Sequence, residues 1–181
     1  MTALERAFRC ALLTVLMALA VPVAAQAAGR EFKVMVFTRA VGEQHASTAA
    51  GVKAIKDLGK ERRFIVNATA DPTEFRADRL AQFRAVVFLN TSGDVLTDAQ
   101  QTAFEDYYRD GGGFVGIHSA IDTERDWAFL GDILGTRSTG APAVAQATVK
   151  VADRVHDASK SLPEYWQRTD EWYDFAANVR G

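Results

Sequence analysis

Thiol chemistry is almost absent from this chain. Of its 181 residues one is a cysteine, Cys10, and it lies in the N-terminal apolar segment. Once that segment is removed, disulfides, thiolate metal sites and cysteine nucleophiles are excluded together, and chemistry falls to histidine, carboxylates, hydroxyls or backbone groups. Long apolar runs are lacking as well. The run Ala11 to Val21 is followed by Pro22 and falls short of the roughly 20 residues that span a bilayer. Lysine and arginine are scattered rather than clustered, which leaves no electrostatic footprint for nucleic acid or an anionic membrane. No internal repeat, low-complexity tract or proline-rich linker divides the chain.

What the N-terminus does contain is a pattern for export. Arg6 and Arg9, the apolar run and Ala25-Gln26-Ala27 give the charged, apolar and small-residue regions of a signal peptide, with cleavage expected after Ala27. Residues 1–27 are thus expected to be removed and 28–181 to form one domain, exported to a bacterial periplasm with no membrane attachment left. Removing Glu5, Arg6 and Arg9 takes away a net charge of +1, so the formal charge moves from −2 to −3. The remaining length suits one domain with a single core.

Apolar patterning predicts strands alternating with helices. Glu31 to Thr38 reads as a strand, and Ser47 to Leu58 as a helix with Val52, Ile55 and Leu58 on one face, closed by Gly59. Phe64 to Val66 reads as a second strand. Asp71-Pro72 then caps a helix that carries Phe75, Leu80 and Phe83. Ala85 to Leu89, apolar throughout, suits a parallel strand covered on both faces. Thr97 and Gln100 fit a capping box for a helix ending near Asp110, and Gly111 to Gly113 lead from it into a fourth strand. The fold class expected is α/β, a doubly wound, mostly parallel sheet in a single domain. A helical turn at Asp126 to Leu134 and a strand at Gln146 to Val151 follow. The aromatic segment Tyr165 to Phe175 is expected to cover the core.

The chemistry is expected where the fourth strand ends. Gly116-x-His118-x-Ala120 has the small-x-polar-x-small spacing of a nucleophile elbow, a tight turn that lifts one side chain above a sheet. The residue lifted is His118, which can act as general acid or base, metal ligand or nucleophile. Hydrolysis through a serine or cysteine elbow is disfavoured. Ligands of such sheets sit at the carboxyl ends of the strands, where His45, Asn90 and His118 would converge. Asp122 lies four residues on and could orient the imidazole if a helix begins at once. Asp170 and Glu171 are adjacent, so on a strand only one can face the rim, and Asp170 is the choice. Trp172 and Tyr173 are read as sugar-stacking or core aromatics, His156 as a surface-turn residue, and Glu124, Arg125 and Asp126 as ordinary polar residues. A divalent metal on His45, His118 and a carboxylate is compatible with these donor types, although no H-E-x-x-H spacing occurs. No other cofactor is evident, because Gly111 to Gly113 precede a strand and form a helix stop rather than a phosphate loop.

Taken together, Gly42-x-x-His45, Val87 to Asp94, Gly111 to Glu124 and Thr169-Asp170-Glu171-Trp172-Tyr173 resemble the ThuA-like (trehalose-utilisation) family, from about Phe32 to the last residue. The resemblance implies a flavodoxin-like core related to class I glutamine amidotransferases, without the cysteine of an amidotransferase. It implies a small-molecule carbohydrate as partner, a disaccharide or 3-keto-sugar, processed by histidine acid/base chemistry. His118 and Asp122 would be catalytic, and His45, Asn90, Asp170 and Tyr173 would bind substrate. Glu43-Gln44 stand where the family commonly has an aromatic and an arginine, and Ala141-Pro142 where it often has His-Pro. Relatives usually continue past the point corresponding to Gly181, so a member shortened at its C-terminus is expected. A non-catalytic carbohydrate-binding or interaction domain is the alternative.

Overall fold

The computed structural model describes residues 31–42, 44–140 and 143–178. The expected signal segment, Glu43 and Ala141-Pro142 lie outside the described residues. The described residues from Phe32 onwards make one compact unit.

Four strands form a parallel sheet in the order β2-β1-β3-β4: β1 (Phe32–Phe37), β2 (Phe64–Thr69), β3 (Ala85–Leu89) and β4 (Gly113–Ile117). Period-two alternation in β1 and β3 decides which side chain meets which layer. Val34, Val36, Val87 and Leu89 face one way and pack against Val52 and Ile55 of helix α1 (Thr48–Arg62). Met35, Phe37, Val86 and Phe88 face the other way. There they meet Phe75, Leu80 of α2 (Ala77–Leu80), Phe104 of α3 (Asp98–Arg109) and Leu130 of α4 (Ala128–Leu134). Both faces of β1 and β3 are covered, as continuous apolar strands require, while Ile65 on β2 and Val115 on β4 stay exposed. Phe104 is fully buried, with its ring 5.6 Å from that of Phe88 and 5.7 Å from that of Phe114.

Two antiparallel pairs follow. β6 (Ala145–Lys150) pairs with β7 (Tyr165–Asp170) in the register Ala145↔Asp170, and β5 (Ser138–Gly140) pairs with β8 (Asp174–Phe175). Tyr165 and Phe175 remain about half exposed, so the aromatic segment does not seal the core as its composition suggested. It forms a ribbon strand and a short strand, and alternation leaves part of its aromatics facing outwards.

Three local expectations change. The Asp71 side chain accepts the Thr73 N–H at 2.9 Å, but the helix it caps is a single 3-10 turn, Pro72–Glu74, broken before α2. The turn after β4 is also a 3-10 segment, His118–Asp122. Helix α1 does not stop at Gly59. It runs on to Arg62, and Arg63, at φ 64°, is the left-handed residue that ends it, its N–H bonded to Gly59 O. Gly59 is required for packing instead, since a Cβ there would lie 2.7 Å from the carbonyl oxygen of Phe64.

Gly59→Ala therefore separates the two effects. Helix propensity alone would add about 1 kcal/mol of stability. The clash with fixed backbone should reverse the sign, at a cost of about 1–3 kcal/mol. A lowered urea midpoint is expected, and a raised one would show that the β2 backbone yields.

Candidate functional site

The loops leaving β1, β3 and β4 continue to pair beyond the strands, which gives the carboxyl end of the sheet a fixed rim. Ala40 bridges Ser92 and Gly93 bridges Thr123, both in parallel sense. Val41 N–H donates to Ser92 O at 2.8 Å, Gly93 N–H to Asp122 O at 3.2 Å and Glu124 N–H to Gly93 O at 3.1 Å. Two strands leave the sheet through left-handed residues: Asn90 at φ 53° after β3 and His118 at φ 57° after β4. Asparagine and histidine are among the residues that occupy this region more readily.

The spacing around His118 now has a physical reason. The turn folds position 116 onto position 120, and a Cβ on Gly116 would already lie 3.4 Å from the Ala120 Cβ. Small residues on both sides let the elbow close and project the imidazole. The His118 ring meets His45 edge-on, with centroids 4.5 Å apart and planes at 85°. Tyr173 is likewise edge-on at 5.4 Å. Nε2 of His118 lies 3.4 Å from Oε2 of Glu171. Nδ1 of His118 and Oγ of the adjacent Ser119 are buried without a hydrogen-bond partner among the described residues. His45, His118 and Glu171 each offer a donor atom, all within 4.8 Å of one another, so the cluster could hold a metal ion.

His45 is held in place by its backbone. Its carbonyl accepts both the N–H (3.1 Å) and the hydroxyl (2.9 Å) of Thr48, at the start of α1. Asn90, expected to touch substrate, is 4% exposed, and its amide donates to Ser47 Oγ at 3.1 Å and Thr48 Oγ1 at 3.0 Å. Asn90 thereby links β3 to the turn that carries His45.

Two acidic assignments shift. Asp122 pairs with Arg125 at 2.6 Å, and no ion pair joins it to His118 among the described residues. A 3-10 segment has three residues per turn, so positions 118 and 122 are not stacked as they would be in an α-helix. Asp170, the last residue of β7, accepts the N–H of Glu171 at 3.0 Å and lies 3.4 Å from Arg168. Glu171, just beyond the strand, is the carboxylate brought to His118. His156 lies exposed in a turn, where its Nδ1 accepts the Ala158 N–H at 3.1 Å.

A carboxylate that sequence reading treated as ordinary proves to be structural. Glu124 is 2% exposed, and its Oε1 accepts the N–H groups of Val95 and Leu96 at 2.6 Å each. Oε2 accepts the Gln101 amide at 2.7 Å, while Thr91 and Thr123 share a buried hydroxyl contact of 2.6 Å. Arg137 closes the exit of the elbow by donating to the carbonyls of Thr123 (3.1 Å), Glu124 (3.1 Å) and Trp127 (2.7 Å). Burial, and next the neighbouring Arg125, draw the Arg137 guanidinium below its usual range. Nothing local in the sequence marks Glu124 or Arg137, because their partners are distant in the chain.

Beside the cluster opens a cavity of about 670 Å³ lined by His118, Ile121, Leu134, Glu171, Trp172 and Tyr173, among others. Trp172 is fixed there by its indole N–H, which donates to Ala145 O at 2.8 Å. His45 also lines a polar concavity of about 480 Å³, together with Arg39, Gln44, Thr48 and Asn90.

A parallel flavodoxin-like sheet with an imidazole raised on the turn after β4 defines an α/β protein with a histidine cluster at its rim. The family model for ThuA, trehalose utilisation, matches residues 33–181, and the chain belongs to that family. It is similar to a crystal structure of a ThuA-like protein from Bacteroides uniformis ATCC 8492, with 26% identity and a TM-score of 0.73 over 87% of this chain and 66% of that one. The chain thus spans just under two thirds of the length of that relative. No curated protein matches the chain.

Glu124→Ala would leave two buried backbone N–H groups without an acceptor. With hydrogen bonds to a charged group at about 1.5–3 kcal/mol each, a loss of roughly 2–4 kcal/mol is expected after relaxation. Glu124→Gln, which keeps one acceptor oxygen, should lose less. Unfolding midpoints of the two variants test the assignment, and wild-type stability in Glu124→Ala would contradict it.

Proposed function

We propose that this protein is an exported carbohydrate-processing enzyme whose reacting centre is the His45–His118–Glu171 cluster. The observation that carries the reading is the position of His118: raised on a left-handed elbow and set against His45, Glu171 and Tyr173 at the wall of a cavity. Two imidazoles and a carboxylate are groups that hold and move protons, the chemistry needed for hydrolysis of a glycoside or abstraction of a proton beside a carbonyl. At 3.4 Å the Nε2–Oε2 pair is longer than a good hydrogen bond, so neither group is fully committed to the other.

The cavity supports a sugar as the substrate class. Its size lies within the range of small-molecule sites, and it combines aromatic walls with a few converging polar groups. Trp172 and Tyr173 offer apolar faces to the C–H side of a pyranose, and Glu171 and His118 offer partners for hydroxyls or a ring carbonyl. Tyr173 keeps the substrate-contacting role, and Glu171 takes the role first given to Asp170. A disaccharide or its 3-keto derivative is the substrate proposed, and family membership supports that choice. Residues 1–27 retain the pattern of an export signal, which would place the reaction in the periplasm.

The test is product detection by mass spectrometry with a panel of disaccharides and 3-keto-disaccharides, comparing wild type with His118→Asn. Asparagine tolerates the left-handed backbone, so the variant should stay folded. Turnover should fall by about 10²–10⁴-fold, the usual contribution of proton transfer. Turnover unchanged in the variant would refute the assignment. Sugar binding without product in the wild type would identify a carbohydrate-binding domain instead.

A further inference from the structure

We infer that His45, His118 and Glu171 form a binding site for one divalent transition-metal ion. The three donors come from separate parts of the chain: the loop before α1, the elbow after β4 and the residue following β7. They are half-buried, and their donor atoms lie within 4.8 Å of one another. In a tetrahedral zinc site with bonds of about 2.0–2.1 Å, neighbouring ligand atoms are about 3.3 Å apart. Nε2 of His118 and Oε2 of Glu171 already stand at 3.4 Å, so that edge of the polyhedron is present without rearrangement. The donor of His45 lies within 4.8 Å of both, a gap that side-chain rotation has to close.

The two imidazoles stand 4.5 Å apart, centroid to centroid, with their planes at 85°. The elbow sets His118 in this arrangement at a backbone cost, and Thr48 holds the carbonyl of His45. Two nitrogens and one carboxylate oxygen are the donor set of transition ions such as Zn²⁺ or Co²⁺, whereas Ca²⁺ and Mg²⁺ take oxygen donors. Three protein ligands also leave a coordination position open, as in sites where a metal acts on substrate rather than on the fold.

This inference rests on the proposed function only for what fills that open position, namely a hydroxyl or carbonyl oxygen of the carbohydrate or a water. A proton and a metal compete for the same lone pairs. With an ion there, His118 would serve as a ligand, and the ion would supply Lewis-acid polarisation of a substrate oxygen or activation of a water. The location of the reacting centre is the same in either case.

The experiment uses the full chain without an affinity tag, stripped with a chelator and titrated with Zn²⁺ by calorimetry and with Co²⁺ by visible absorption. One equivalent of each ion should bind, with Co²⁺ giving the intense d–d bands of a low-coordinate site. Binding should be lost in His45→Gln, His118→Asn and Glu171→Gln, each checked for folding by circular dichroism, and retained in His156→Gln. No binding by the wild type, or binding that survives in all three cluster variants, would overturn the inference. Failure of the functional reading has a different signature: metal bound at the cluster, but no product from the sugar panel. Product from metal-free protein that takes up no ion would sink the metal site and leave the proposed function standing.

Discussion

A non-glycine residue with positive φ costs roughly 1–2 kcal/mol relative to the right-handed region, and such a conformation persists only when the surroundings enforce it. His118 is such a residue, and the rim of this sheet depends on the turn it makes. If position 118 relaxed to an ordinary conformation, the chain leaving β4 would take another direction. The imidazole would then move away from His45, Glu171 and Tyr173 together. The enforcing contacts lie on both sides of the turn. Gly116 and Ala120 are small enough for it to close, and Thr91, Gly93 and Glu124 fasten the segment beyond it to the loop after β3. The neighbouring strand ends in the same way at Asn90, whose amide reaches the start of α1 and thereby steadies His45.

The division of labour among acids follows from this arrangement. Glu124 is buried and accepts three hydrogen bonds from within the protein, so it serves the architecture. Glu171 sits just past the end of a ribbon strand, half-exposed and loosely set against His118, which leaves its oxygens available. Asp122 is neutralised by Arg125. Three acids near one elbow thus have three fates, decided by which donors reach each first. Carboxylates are neutralised by the nearest good donors wherever burial makes bare charge costly.

The centre of the sheet was legible because β3 and β4 are short apolar runs bounded by polar or glycine-rich segments, whereas β2, read as Phe64 to Val66, runs on through polar residues to Thr69. Ala85–Leu89 is read to the residue, and β4 begins at the last of the three glycines that stop α3. The elbow was legible because glycine and alanine two residues either side of a polar residue form a local pattern. What escaped depends on tertiary contact. Gly59 looked like a helix stop because glycine is common there, but the deciding fact is the Phe64 carbonyl 2.7 Å from where its Cβ would be. The choice between Asp170 and Glu171 turned on where β7 ends, since one residue of register exchanges the faces. Asp122 was assigned through α-helical spacing that the 3-10 turn does not have. Asn90 was expected to contact substrate, but its amide donates to the hydroxyls of Ser47, just before α1, and Thr48, at its start, contacts that no local pattern announces.

That His118 is delivered by its turn into contact with His45 and Tyr173 is the claim on which both the proposed reaction and the metal site stand. Proton NMR tests it directly, because the chain has three histidines and their ring signals are readily assigned by substitution. Nuclear Overhauser contacts are expected from the His118 ring to the rings of both His45 and Tyr173, with none to His156. A His118 ring with no contact to His45 or Tyr173 would contradict the account.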